Sequence, residues 1–258
     1  MTNLQIGAQL YSVRDHLTSA EEIRNVLVTL KKQGYNICQL SGFSREVPVE
    51  VIADILKEVD MKCVCTHFGF TEFEENFDEL VRIHKLWNCE YPGVGAMPAE
   101  FPRTKEGYLE FARRASIVAD KLAEHGLHFI YHNHAFELEK FDGITGLEIL
   151  MENCSANLQF ELDLFWIQAG GGAPEDWIGK VRGRMDVVHF KEMVGGTRQL
   201  PIMAPIGDGN MNWPRLMAKC DEIGVKYALI EQDNAVETDS IACMERSINY
   251  LTSIGGRF

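Results

Sequence analysis

At 258 residues and 29.2 kDa, with 46% hydrophobic residues, the chain can bury one large core, close to the roughly 250 residues of a complete (β/α)8 barrel. A formal net charge of -13 and a pI near 5.1 repel phosphate backbones and anionic lipid, so neither nucleic acid nor a membrane is the expected partner, although a small basic patch for one phosphate stays compatible. Residues 1–10 lack a basic segment followed by a long apolar run, and no stretch reaches the roughly 18 apolar residues of a membrane span, so a cytoplasmic location is expected.

The first predicted strand is 5–10, followed by a helix over 20–33 with Ser19 or Thr18 as N-cap and Gly34 as the stop. Strand two is expected at 36–40, then a helix over 49–60 that starts just after Pro48. Strand three follows at 61–66, and the apolar period of Phe73, Phe77, Leu80, Val81 and His84 predicts one helix over 73–86. Strand four, at 88–91, is short and flanked by Pro92-Gly93.

The second half repeats the unit. A long helix over 105–125 stops at Gly126 and strand five follows at 127–131. Then come a helix at 144–153, strand six at 158–162 and a helix at 174–181. Strand seven at 185–190 leads into a Gly/Pro-rich loop over 195–212, and the ring closes with a helix at 213–223, strand eight at 226–230 and a helix at 238–253. Eight strand-then-helix units with no linker between them predict a single α/β domain over 1–258, a (β/α)8 TIM barrel. A doubly wound open sheet is the alternative, but Gly170-Gly171-Gly172 and Gly195-Gly196 follow late elements and lack GxGxxG or GK[ST] spacing, which makes them loop hinges. The seven cysteines are scattered and read as small buried hydrophobes, with Cys63 and Cys65 on one strand face that could reach the barrel mouth. The pattern leaves a homo-oligomer open.

Four strands end in ligand-type side chains: His132-Asn133-His134, Glu161-Leu162-Asp163, His189-Phe190-Lys191 and Glu231-Gln232-Asp233. A barrel collects the C-terminal ends of its strands at the catalytic face, so these groups are expected to converge. A single histidine or carboxylate at a strand end is commonly a hydrogen-bonded or capping residue. Four together are different, because burying uncompensated acids is costly and a cation offsets that cost. His132, Asp163, His189 and Glu231 are the expected metal ligands, with His134 replacing His132 if strand five is shifted by two residues. A mixed imidazole and carboxylate set suits Mn2+, Zn2+, Co2+ or Fe2+ better than calcium, while Mg2+ favours more oxygen ligands.

The segments YHNHAFE, FELD, VVHFKE, IGDGNMNW and LIEQD, with the opening IGAQLYSVRD, resemble the xylose isomerase-like TIM-barrel superfamily of sugar isomerases, sugar epimerases and inosose dehydratases. The resemblance implies a divalent ion, manganese foremost, and matches Asp163, His189 and Glu231 to the ligands of strands six, seven and eight. Two departures are visible. Ketose 3-epimerases place a glutamate on strand five where this chain has His132, with Glu137 beyond the strand, and Trp166 stands where they carry a substrate-binding histidine.

The chemistry expected is metal-dependent isomerisation or epimerisation of a small carbohydrate or keto-sugar, by proton abstraction beside a carbonyl. Glu231 is the expected base, and Lys191 stabilises the oxyanion or shuttles a proton; His132 stands in for the second glutamate. A lyase or dehydratase acting on an inosose or 3-keto-glycoside shares the first step, and a non-catalytic sugar-binding barrel is the third reading. His134, Glu137, Trp166, His67, Gln9 and Glu192 are candidate substrate contacts, with loop capping the alternative for Glu192. Tyr11, Phe68, Phe136 and Trp213 join Trp166 as candidate rim aromatics.

Overall fold

A computed structural model describes residues 4–195, 202–234 and 239–258. Eight parallel strands close into the expected barrel: β1 (Gln5–Gln9), β2 (Ile37–Leu40), β3 (Lys62–His67), β4 (Tyr91–Val94), β5 (Phe129–His132), β6 (Leu158–Asp163), β7 (Val187–Phe190) and β8 (Tyr227–Ile230). Closure comes from β1 pairing with β8, Ile6 opposite Ala228 and Ala8 opposite Ile230. Around the ring run α1 (Ala20–Gln33), α2 (Val49–Val59), α3 (Phe70–Glu75), α4 (Phe77–Leu86), α5 (Lys105–Glu124), α6 (Gly146–Asn153), α7 (Leu164–Ala169), α8 (Pro174–Lys180), α9 (Trp213–Ile223) and α10 (Ser240–Ser253).

Local chemistry sets these boundaries. In α1, Ser19 Oγ accepts from the backbone N–H of Glu22 at 3.3 Å, Gly34 ends the helix at φ 112°, and Ile23, Val26, Leu27 and Leu30 form the buried stripe. The strands face two apolar layers. Ile37, Val64, Cys65, Tyr91, Ile130, Val187 and Leu229 make a separate cluster, while the alternate strand faces join the helices in the main core.

Several expected boundaries are corrected. Strand four runs through Pro92-Gly93 rather than stopping before it: a Cβ on Gly93 would lie 2.3 Å from Ile130 Cγ1, so glycine is the residue that lets Ile130 pack there. The helix expected over 73–86 is two helices, broken at Asn76, where φ is -124°. The helix expected from 144 begins at Gly146, because Thr145 and Glu148 form a reciprocal capping box; Ile144–Thr145 instead pairs with Lys140–Phe141. The expected loop 195–212 contains a strand, Ile202–Ala204, paired with Glu192–Val194, while Gly196 and the rest of 196–201 lie outside the described residues, as does Thr238 at the start of the last expected helix. A 3-10 segment, Leu10–His16, follows β1: it takes Leu10 from the expected strand and continues over 11–16, where no element was expected. A register shift between Cys38 and Gln39 sets Cys63 and Cys65 opposite them in turn, so Val64 and Cys65 join the inner cluster and Cys63 the outer one. The two thiols therefore do not share a face. Among the described residues, no helix is long and apolar enough to cross a membrane.

Candidate active site

The polar ends of β5 to β8 meet at one end of the barrel. Ligand atoms of His132, Asp163, His189 and Glu231, all buried, lie within 4.8 Å of one another. His132 Nδ1–H donates to the carbonyl of Gly95 at 3.0 Å, which turns Nε2 to Asp163 Oδ2 at 3.3 Å and Glu231 Oε2 at 3.9 Å. Asp163 is shaped by its place between β6 and α7. Its Oδ1 accepts from the Trp166 N–H at 2.9 Å as the helix cap, and its own N–H donates to Asn133 Oδ1 at 3.0 Å. That leaves Oδ2 aimed into the cluster, 3.2 Å from Lys191 Nζ and 3.9 Å from His189 Nδ1. Glu231 Oε2 completes the group at 2.9 Å from His189 Nδ1 and 2.9 Å from Lys191 Nζ.

The charges are strongly interdependent. Burial favours neutral acids, yet Lys191 foremost and then His189 outweigh it and hold Glu231 well below the usual carboxylate range; Lys191 and then His132 lower Asp163 against the same burial. Burial would likewise strip the proton from His189, but Glu161 and Glu231 lift it to about 10. Lys191 is raised by Asp163, Glu231 and Asp233 against its own burial, so it is a fixed ammonium and not an amine nucleophile. Asp233, 3.0 Å from that ammonium, is raised by burial and by Glu231.

Two imidazoles and two ionised carboxylates on four adjacent strands fit a borderline divalent cation. His189 Nδ1 faces two carboxylate oxygens, 2.9 Å from Glu231 Oε2 and 3.9 Å from Asp163 Oδ2, the place where a cation would stand. A second group with metal-like spacing, His67, Glu161 and His189, lies beside the first.

A cavity of about 370 Å³ opens over the cluster, lined in part by Tyr11, Arg14, His67, His134, Lys191 and Asp233. His134 belongs to this wall and not to the quartet. Its ring stacks on Phe136 with an interplanar angle of 8° and stands 5.2 Å from Trp166; burial and then His132 lower it to about 3. His134 Nδ1, Trp166 Nε1 and Gln9 Nε2 are buried with no hydrogen-bond partner among the described residues. The Lys191 ammonium sits 5.2 Å from the centre of the Trp166 ring.

Other expected contacts lie elsewhere. Glu137 is turned to the outer face of the barrel, where it takes the Tyr131 hydroxyl at 2.6 Å and the His134 N–H at 2.9 Å. Glu192 is buried in the loop-capping arrangement, accepting from Trp213 Nε1 at 2.5 Å and from the N–H groups of Gly207 and Met211 at 3.0 and 3.1 Å. Trp213 packs on Phe190 and Phe68 on Phe73 and Trp87, so both are core rings and not rim aromatics. Gln39, the polar residue in the buried strand Ile-Cys-Gln-Leu, reaches the site without having been expected there, while Glu161, two residues before Asp163 on the same face, joins it as the strand alternation implies.

A closed parallel barrel with a histidine and carboxylate cluster at the strand C-termini defines the class of protein. The chain belongs to the xylose isomerase-like TIM barrel family, whose model matches residues 49–254. Among solved structures, a sugar phosphate isomerase/epimerase from Parabacteroides distasonis ATCC 8503 is similar with TM-score 0.80 and 18% identity, over 98% of this chain and 95% of that one. An L-ribulose 3-epimerase is similar with TM-score 0.73 and 13% identity, over 97% of this chain and 94% of that one. The probable 3-DHS dehydratase AsbF of Bacillus anthracis, involved in petrobactin synthesis, is similar with TM-score 0.72 and 16% identity, over 96% and 98%. At such identities these likenesses establish the fold. No curated protein matches the chain in sequence.

Proposed function

We propose that the protein is a metal-dependent sugar isomerase or epimerase that removes a proton from the carbon beside a carbonyl of a small sugar or keto-sugar. The observation that carries this reading is Glu231 Oε2, a buried carboxylate oxygen 2.9 Å from the Lys191 ammonium on the floor of a sugar-sized cavity. A divalent cation held by His132, Asp163, His189 and Glu231, with Mn2+ foremost and Zn2+, Co2+ or Fe2+ next, would polarise the substrate carbonyl and acidify the neighbouring C–H bond. Glu231 accepts that proton. Lys191, a permanent cation beside it, stabilises the negative charge that grows on the substrate oxygen. Trp166, its ring 5.2 Å from that of His134 and 5.2 Å from the Lys191 ammonium, is the proposed apolar neighbour of a sugar ring, with its unpartnered Nε1–H as a donor. The named activities of an L-ribulose 3-epimerase and a sugar phosphate isomerase/epimerase among the similar structures agree with this chemistry.

Elimination is the second reading, favoured by a specific feature: the strand-five position facing the cluster is His132, and Glu137 is turned away to Tyr131. A lyase or dehydratase needs one base and a less demanding proton return, and a probable dehydratase is among the similar structures. The test incubates Mn2+-loaded protein with aldoses, ketoses, inososes and 3-keto-glycosides in deuterated water. Deuterium is expected at the carbon beside the carbonyl, and its final position separates isomerase, epimerase and lyase. Turnover without exchange at that carbon, or full activity in Glu231→Gln, refutes the mechanism.

A further inference from the structure

The floor of the site rests on one buried carboxylate that plays no part in the quartet. Glu161 faces two imidazoles: its Oε2 accepts from His67 Nε2 at 2.6 Å, and its Oε1 lies in ion-pair contact with His189 Nε2 at 3.1 Å. Gln39 closes the network. Its Oε1 accepts from His189 Nε2 at 2.6 Å and its Nε2 donates to Glu161 Oε2 at 3.3 Å; turning the amide over would set its oxygen against the carboxylate, which fixes its orientation. Cys65 Sγ, 3.7 Å from Oε1, fills the remaining side.

This arrangement decides where protons sit. An ionised carboxylate only accepts, so the His67 Nε2 that meets it must be an N–H group, and Gln39 Oε1, turned toward His189 because Gln39 Nε2 donates to the same carboxylate, requires an N–H at His189 Nε2 as well. In neutral rings the lone pairs are then on the two Nδ1 atoms. For His189, Nδ1 faces Glu231 Oε2 at 2.9 Å and Asp163 Oδ2 at 3.9 Å, within the quartet. For His67, a residue of the cavity wall, Nδ1 lies beside Gly95, where a Cβ would stand 3.0 Å from it. A side chain at 95 would cover this nitrogen; glycine leaves it open.

We propose that Glu161 is a positioning residue that fixes the tautomers of both histidines, so that His189 presents Nδ1 to the cation and His67 presents Nδ1 to the cavity as an acceptor for a sugar hydroxyl. The inference rests on the metal and sugar reading above. It makes strand three part of the substrate wall and couples it to the metal ligand through one carboxylate. Only a carboxylate can do this, because an amide offers a single acceptor oxygen and turns its N–H2 toward the other ring.

The test uses full-length protein labelled with 15N-histidine, loaded with Zn2+ as a diamagnetic probe, and long-range 1H–15N correlation to assign the ring protons. Wild type is expected to carry Nε2–H on both His67 and His189, with His189 bound to zinc through Nδ1. In the zinc-loaded protein a proton on Nδ1 of either ring overturns the proposal, and this readout needs no variant. In Glu161→Gln, His67 is expected to move its proton to Nδ1, and zinc affinity to fall about 10- to 100-fold. Unchanged tautomers with unchanged affinity overturn it as well. The metal reading fails separately, if wild type takes up no zinc or if Asp163→Asn binds it equally well. In that event the His67 tautomer of the metal-free protein still decides whether Glu161 sets the ring.

Discussion

The Lys191 ammonium and Glu231 Oε2 stand 2.9 Å apart, and the same ammonium is 3.2 Å from Asp163 Oδ2, so a lysine and the proposed cation share two carboxylates. Lys191→Met keeps an unbranched side chain one atom shorter and removes its charge. Loss of a competing cation is expected to tighten Mn2+ binding, while turnover falls by at least about a hundredfold because the growing oxyanion loses its partner. Titration calorimetry beside initial rates checks both. Weaker metal binding in Lys191→Met would mean that the lysine organises the ligands and does not compete for them.

A ligand set of this kind links metal binding to folding. At a free Mn2+ concentration about 100 times the dissociation constant, binding to the native state alone adds about 2.7 kcal/mol. For a chain of this size that raises the melting temperature by roughly 5 to 10 °C. Asp163→Asn keeps an Oδ1 that can still cap the Trp166 N–H, so its fold is expected to survive while its thermal shift with Mn2+ disappears. Differential scanning calorimetry with and without EDTA reads the shift, and an equal shift in the variant would remove Asp163 from the ligand set.

The barrel and its four polar strand ends were legible because both signals are local. Ile130 and His132 alternate with Tyr131 along one strand, and the same period orders Glu161 with Asp163 and His189 with Lys191. What was not legible depends on where side chains meet across the barrel. Gln39 on β2 reaches His189 on β7, a contact 150 residues apart that no periodicity encodes. Phe68 and Trp213 follow residues at strand ends or open a helix, and only packing decides that they face the core. Pro92-Gly93 signals a strand stop, but the inner layer requires glycine opposite Ile130, and tertiary fit overrode the turn signal.

That fit is testable. A Cβ on Gly93 would come 2.3 Å from Ile130 Cγ1 and 2.8 Å from the Ile130 carbonyl oxygen, closer than real contacts permit. Gly93→Ala is expected to destabilise the barrel by about 1 to 3 kcal/mol through overpacking. Adding Ile130→Ala should recover part of the loss, less the cost of the space it leaves, so the two substitutions are non-additive. Urea unfolding of the two single variants and the double variant measures the coupling. Strict additivity would mean that the strain is borne by the backbone alone.

His84, on α4, is buried against β3. Its Nδ1–H donates to the Leu80 carbonyl at 2.7 Å, and its Nε2 accepts from the Thr66 hydroxyl at 2.7 Å, so the neutral ring is fully satisfied. Burial lowers its pKa from 6.5 to about 4. The unfolded chain therefore takes up this proton before the folded one does as pH falls. The contribution is intact above about pH 6.5 and is lost progressively toward about pH 4, up to about 3 kcal/mol in all. His84→Gln keeps a donor and an acceptor but does not titrate in this range. Denaturant unfolding at pH 7 and pH 4.5 should show a smaller loss of stability for the variant than for wild type, even if the variant is less stable at pH 7. Equal losses in the two proteins would place the acid sensitivity of the fold in other groups.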